Sequence, residues 1–175
     1  LLDPERLPDE YVPYVKNLRD ETDALRQVVT NFLNFAKPTE LMLGTVDLQR
    51  IAERVADDMR ADAVASNGTV DVRGDYGVVQ GDEVLLRQAF SNLCRNAVEA
   101  CVDAGITPRV LIEGARDQAG GTQMVTVSDN GPGVDPAIMG RMFRPFFTTK
   151  TKGTGLGLAL VQKFIVMHNG RVSVA

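Results

Sequence analysis

Several things are scarce in this chain, and each scarcity removes a class of function. No apolar run approaches the roughly 20 residues that span a bilayer, and Leu1-Leu2-Asp3 does not resemble a signal peptide, so the segment as given reads as soluble and without membrane contact. Positive charge is not in surplus: 19 Lys and Arg stand against 23 Asp and Glu, for a net charge of −4. With no basic field, nucleic acid is excluded as a partner, and any polyanion must be held by local groups. Cysteine occurs twice, as Cys94 and Cys101, two turns apart on one side of a helical pattern. That spacing reads as two buried thiols in a reducing compartment, neither a disulfide nor a CxxC metal site. Histidine occurs once. His168 follows the last helical pattern and precedes Asn169-Gly170, which reads as a helix C-terminal residue interacting with the dipole and a poor candidate for a catalytic base.

What is present suits one ordinary domain plus a modest appendage: 175 residues, 44% apolar and 24% charged, enough to build a core. The chain opens in a helical context and stops on the strand-like Arg171-Val172-Ser173-Val174-Ala175, so we read it as a piece of something longer. Tyr11, Val15, Leu18, Thr22, Leu25, Val29, Phe32 and Ala36 recur at steps of four and three, a heptad seam interrupted only by Thr22. Pro13 should sit in the first turn or kink it. Lys37-Pro38 should end the helix, because proline disfavours helix in the residue before it. Such a seam needs a second helix, from upstream chain or another subunit; the alternative is an amphipathic helix lying on its own globule.

Gly44-Thr45 marks the break to a globular region. Val46-Asp47-Leu48 reads as a short strand entering a helix capped by Asp47, with Leu48, Ile51, Val55, Met59 and Val64 on one side. Ser66-Asn67-Gly68 closes that helix, and strands are expected over 69–73 and 77–81. Asp82 then caps a helix from Glu83 to about Asp103. At roughly 100° per residue, Asn92, Asn96 and Glu99 fall on one narrow stripe, opposite Leu86, Phe90, Leu93, Ala97 and Cys101. Asparagine is a mediocre helix former. Two of them one turn apart offer carbonyl oxygens to a hard cation and amide donors to phosphate oxygens, the needs of a magnesium nucleotide. The stripe also reads as a plain solvated face, and Arg87 and Arg95 as ordinary surface residues or phosphate contacts.

Pro108 to Ala115 alternates as a strand, Asp117 to Gly121 turns, and Thr122 to Ser128 returns antiparallel into Asp129-Asn130-Gly131-Pro132-Gly133-Val134-Asp135. A half-buried Asp129 at that strand end can accept from an exocyclic amine and so distinguish adenine from guanine; otherwise it caps its own turn. A helical turn over Pro136 to Gly140 leads to Phe143, Phe146 and Phe147 and then Thr148-Thr149-Lys150. These read as a lid, its aromatic base anchored in the core and its polar tip mobile. Gly153-Thr154-Gly155-Leu156-Gly157-Leu158 runs into a helix over Ala159 to Met167, placing free N–H groups and a positive dipole end where phosphates can sit.

In this order the stretches resemble the ATP-binding domain of bacterial sensor histidine kinases, within the wider group that includes DNA gyrase, mismatch-repair ATPases and heat-shock chaperones. Asn92 to Ala100 looks like the asparagine box, Asp129 to Gly133 the first glycine box, Phe143 to Phe147 the phenylalanine box and Gly153 to Gly157 the second glycine box. The resemblance covers residues 44–175. The wording PFFTTK…GTGLGLAL is nearest the nitrogen-regulation type. It implies an α+β fold, a two-layer α/β sandwich whose mixed, largely antiparallel sheet is covered by helices (the Bergerat-type ATP-binding fold), with its last strand cut short. Residues 1–43 would supply the second helix of a dimerisation hairpin plus a linker, giving a four-helix bundle in a homodimer.

The resemblance further implies ATP and Mg2+ as ligands. Asn96 would coordinate the metal, Asn92 would contact phosphate or metal, and Asp129 would bind the adenine amine beside Gly131 and Gly133. Thr149, Lys150, Gly153, Thr154, Gly155, Leu156 and Gly157 would cover the phosphates, Gly155 and Gly157 through backbone donors. The reaction would be transfer of the γ-phosphoryl to a histidine that lies outside this chain, and thence to an aspartate of a response-regulator receiver domain. The fragment would be cytoplasmic, its parent an inner-membrane sensor or a soluble one. Two rivals stand beside this reading. One is an ATP-hydrolysing relative, with Glu99 as general base because Asn92 cannot take a proton from water. The other is a non-enzymatic nucleotide sensor or helical dimeriser.

Overall fold

The computed structural model describes Pro8 and residues 11–36, 40–65, 67–117, 121–150 and 153–174. Expectations for Lys37-Pro38, Ser66 and residues 118–120, and for the side chains of Ala36 and Val64, lie outside the described residues. The chain divides into two compact units, Leu1–Thr39 and Glu40–Ala175.

Among the described residues the first unit holds one helix, α1 (Val12–Ala36). Pro13 occupies its first turn, where a missing N–H costs nothing. Of the seam residues, Leu18, Leu25, Val29 and Phe32 are exposed, as is Tyr11 just ahead of the helix. Thr22 interrupts the seam for a local reason, since its hydroxyl donates to the Leu18 carbonyl at 2.7 Å.

The second unit runs β1 (Gly44–Asp47), α2 (Leu48–Ala65), β2 (Thr69–Gly74), β3 (Val78–Gly81), α3 (Glu83–Asp103), β4 (Arg109–Arg116), β5 (Gln123–Ser128), α4 (Pro136–Met139) and α5 (Gly157–Met167). Asp47 caps α2 as its position suggested, accepting from Gln49 N–H at 2.9 Å and Arg50 N–H at 3.2 Å. The strands make two ladders. β1 pairs antiparallel with β3, with Val46 opposite Val79. β4 lies between β2, parallel with Val70 opposite Val110, and β5, antiparallel with Ile112 opposite Val127. The parallel pair is possible because α3 carries the chain back across the sheet between them.

Alternation along β4 buries Val110 and Ile112 against the helices. Against them pack α2, with Ile51, Val55 and Met59 buried, and α3, with Leu86, Phe90, Cys94 and Ala97 buried; α5 packs on α3 and buries Leu160 and Phe164. Tyr76 lies in the same layer, its hydroxyl donating to the Ile112 carbonyl at 2.9 Å. Burial pushes that phenol up to about 12.

Three expectations are corrected. Arg171–Val174 joins no ladder, since four extended residues become a strand only when a neighbour accepts their bonds. Phe146 is 62% exposed and not anchored in the core, on backbone with φ of 65°, while Phe143 and Phe147 are half-buried. The last helix begins at Gly157, two residues earlier than its apolar pattern suggested.

Candidate functional site

The site is built along α3, whose start is fixed by Asp82. Its Oδ1 accepts from the N–H groups of Val84 at 3.0 Å and Leu85 at 3.1 Å, and its Oδ2 from Met42 N–H at 3.1 Å. The Asp82 N–H donates to His168 Nε2 at 2.8 Å, and His168 Nδ1 meets the Phe164 carbonyl at 2.7 Å. Since Nε2 accepts from a backbone N–H, Nδ1 is the ring nitrogen that donates to the carbonyl. His168 is thus the helix-terminal residue its position suggested. Its bond to Asp82 had no signal in the sequence.

From that fixed start, Asn92, Asn96 and Glu99 come to one half-buried face. Asn92 Nδ2 is buried and has no hydrogen-bond partner. A buried amide left unpaired costs about 1–3 kcal/mol, so its persistence marks a place where an acceptor belongs. Gly157 closes the same face: a Cβ there would lie 3.8 Å from Asn92 Oδ1 and 3.9 Å from Asn96 Nδ2. No side chain caps the N-terminus of α5, leaving backbone N–H groups and the positive dipole end free for an anion. Leu156 is buried, so only its backbone is available to a ligand.

The segment before α5 reaches the same stripe. Lys150 Nζ forms an ion pair with Glu99 Oε2. Its own turn is held by Thr148 Oγ1, which accepts from Lys150 N–H at 3.1 Å, and by Gly153 N–H donating to the Lys150 carbonyl at 3.1 Å. Thr149 is exposed on this turn, and Thr154 Oγ1 accepts from Leu156 N–H at 3.3 Å. Gly155 takes φ of 66°, and a Cβ on it would come within 2.4 Å of the Phe146 carbonyl carbon. Only glycine permits that crossing, where Phe146 N–H donates to the Gly155 carbonyl at 2.9 Å.

Asp129 stands at the other end of α3 and is exposed, not half-buried, because β5 delivers it past the edge of the helical cover. Its Oδ1 accepts from Gly131 N–H at 2.8 Å, so it does cap its own turn; a second carboxylate oxygen is left for another donor. Asn130 fastens this loop. Its Oδ1 accepts from Arg109 N–H at 2.8 Å and from the Cys101 thiol at 3.4 Å, and its Nδ2 donates to the Thr107 carbonyl at 3.1 Å. Sequence reasoning gave Asn130 no role of its own, although an asparagine directly after a strand is a sign of side-chain bonding to backbone. A Cβ on Gly131 would lie 3.6 Å from the Ala100 carbonyl carbon, so the loop rests on the last turns of α3. Gly133 stands apart, with nothing within 4 Å of its missing side chain.

From Asn92 to Ala100 is about 12 Å along a helix, so the paired amides, the Lys150 turn and the Asp129 loop line a stretch that one mononucleotide can cover. The Cys94 thiol, on the buried side of α3, is pushed up to about 12 by burial and is no nucleophile. Among the described residues no cluster of three or more His, Cys, Asp or Glu side chains could hold a metal. A cation here would depend on amide oxygens and on oxygens the ligand brings.

This arrangement defines a nucleotide-binding domain of the α+β ATPase class. The chain belongs to the histidine kinase-, DNA gyrase B-, and HSP90-like ATPase family, which matches residues 81–175, more than half its length. Sensor histidine kinase ZraS of Salmonella typhimurium is 34% identical over 156 residues, 88% of this chain and 33% of its own length. Among solved structures, full-length ShkA in complex with AMPPNP superposes with a TM-score of 0.77 at 30% identity, over 92% of this chain and 35% of that one. Histidine kinase ThkA in complex with response regulator protein TrrA gives 0.71 at 26% identity, over 97% and 47%. The chain spans about a third of the length of curated relatives such as ZraS. Its residues 81–175 are the ATPase domain of that family, and over most of its length the chain is similar to sensor histidine kinases. Among the described residues no helix is long and apolar enough to cross a membrane.

Proposed function

We propose that the domain presents the γ-phosphoryl of ATP to an imidazole nitrogen of a histidine carried outside this chain, and that an aspartate of a response-regulator receiver domain then takes the group. The observation that carries this reading is the unpaired Asn92 Nδ2 beside Gly157 and the uncapped start of α5. Phosphoryl transfer asks a protein for positioning and charge neutralisation more than for covalent chemistry. The groups placed at the phosphates match that demand, since they are the Asn92 and Asn96 amides, the Lys150 ammonium and backbone donors.

Asn92 donates to a phosphate oxygen, the N–H groups of Gly155 and Gly157 hold the phosphates at the start of α5, and Leu156, whose N–H is taken by Thr154, roots that start in the core. Gly153 and Thr154 shape that loop, and Thr149 and Lys150 close over it. Asp129, kept in place by Asn130, takes the adenine amine, while Gly131 and Gly133 give the backbone room beneath the base. Asn96 offers its side-chain oxygen to Mg2+, a hard ion that binds through few protein ligands together with phosphate oxygens and water. The oxygen-only donor set fits that ion, which when bound neutralises charge on the phosphates.

Residues 1–43 serve as the second helix of a dimerisation hairpin, a reading supported by the exposed Leu18, Leu25, Val29 and Phe32 of α1. Residues 44–175 form the catalytic domain. A receiver-domain partner is supported by the ThkA structure solved with a response regulator. The nitrogen-regulation subfamily rests on the wording of Pro145–Lys150 and Gly153–Leu160 alone. The fragment works in the cytoplasm, whatever anchors the rest of the protein.

Calorimetry with Mg-ATP tests the site, with binding expected in the wild type and lost in Asp129→Ala. Mixing the chain with ATP and a separate helical hairpin bearing a histidine tests transfer. No heat at millimolar nucleotide would overturn both.

A further inference from the structure

Within the site proposed above, one contact has a partner that nucleotide chemistry does not require. Lys150 leans across to α3 and gives its ammonium to Glu99, which stands three residues beyond Asn96 on the same stripe. Backbone bonds fix the root of that lysine, from Lys150 N–H to Thr148 Oγ1 and from Gly153 N–H to the Lys150 carbonyl. A lysine on such a root has within its reach a short arc over the face that carries Asn92, Asn96 and the start of α5. Glu99 supplies negative charge at one end of that arc. Triphosphate oxygens would supply it at the other.

We propose that Glu99 is the resting partner of Lys150, an internal stand-in for the terminal phosphate of ATP, and that Lys150 leaves it for phosphate oxygens when ATP binds. The proposal rests on the ATP site argued above. Magnitudes favour the exchange. Both side chains are partly exposed, 33% for Lys150 and 44% for Glu99, and ion pairs in that setting are worth about 0.2–1 kcal/mol. A charge-assisted bond to a phosphate with more than one negative charge outbids a single carboxylate. The resting pair has two consequences. It keeps the ammonium from attracting stray anions to an empty site, and it taxes ligands too short to reach Lys150 less than it taxes ATP. Glu99 is accordingly a positioning residue that, by holding Lys150 at rest, lowers the preference for the triphosphate over shorter ligands.

The test combines amine footprinting of Lys150 with Mg-ATP and Mg-ADP calorimetry on the whole chain. Glu99→Gln is expected to raise the acylation rate of Lys150 at least twofold without nucleotide, and Mg-ATP is expected to protect Lys150 in both proteins. The same variant should tighten Mg-ATP about 1.4- to 5-fold, the affinity equivalent of that ion pair, and change Mg-ADP by less. Glu83→Gln, which breaks the exposed Arg54–Glu83 pair at the start of α3, controls for charge and should change neither readout. The proposal is overturned if Glu99→Gln leaves Lys150 reactivity unchanged, if ATP does not protect Lys150, or if ATP affinity stays level or falls. Failure of the wild type to bind Mg-ATP would instead remove the ATP site itself, and this inference with it.

Discussion

The backbone N–H of Asp82 donates to Nε2 of His168 at 2.8 Å, joining the beginning of α3 to the end of α5 across 86 positions of sequence. At the opposite end of α5, Gly157 rests against Asn92 and Asn96. Asp82 to Asn92 is about 15 Å of helix and Gly157 to His168 about 16 Å, so two antiparallel helices are clamped at two points, and the second point is the phosphate end of the site.

Removing the clamp has a measurable cost. His168→Leu leaves the half-buried Asp82 N–H without an acceptor, which should lower stability by about 1–3 kcal/mol in urea denaturation. His168→Gln, with a carbonyl oxygen to offer, should recover part of the loss.

Asn92 should show stability and function in opposition. Replacing it by leucine removes an amide donor that is buried and unbonded. Thermal unfolding should therefore stay level or rise by up to about 1 kcal/mol, while Mg-ATP binding falls by at least tenfold. A large loss of stability would mean that Asn92 already has a structural partner.

Two glycines of the same loop should respond differently to alanine. At Gly157 the added methyl meets Asn92 and Asn96 only at ordinary contact distance, so the fold should be kept while the space for phosphate narrows and ATP affinity drops. At Gly155 it would enter the Phe146 backbone at 2.4 Å with φ of 66°. The left-handed torsion alone costs about 1–2 kcal/mol, so Gly155→Ala should lower the melting temperature before any effect on binding is read.

Alkaline pH should unfold the domain by way of its interior. Burial raises the Cys94 thiol from 9.0 to about 12 and the Tyr76 phenol from 10.0 to about 12. The unfolded chain releases these protons first, so it binds fewer than the native state above pH 9 and stability falls as pH rises toward 12. Each group contributes a slope of at most about 1.4 kcal/mol per pH unit. Cys94→Ala should flatten the fall between pH 9 and 10, where Tyr76 of the unfolded chain is still at least half protonated and contributes less.

What could be read from the sequence was local chemistry. Asp47 and Asp82 announce their helices because a cap acts within three residues, and the stripe of Asn92, Asn96 and Glu99 follows from the helical period. The Asp129 loop was legible as a turn after a strand, but its exposure was not, since that depends on where the helical cover stops. The exposure of Phe146 was not legible, because its hydrophobicity says nothing of the left-handed backbone it adopts or of its crossing with Gly155. The bonds from Asp82 to His168 and from Asn130 to Arg109, Cys101 and Thr107 join segments far apart in the chain, and nothing in either segment's pattern names the other. Arg171–Val174 has a strand's alternation, but alternation does not provide a neighbour.

The parallel pairing of Val70 with Val110 spans 40 positions, and the asparagine-bearing helix is the crossover between them. Such a ladder closes late, because the intervening loop must surrender its freedom before any bond rewards it. A nascent chain halted before Arg109 would consequently hold both asparagines and still have no place for ATP, which makes nucleotide binding a sign that synthesis and folding of this sheet are complete.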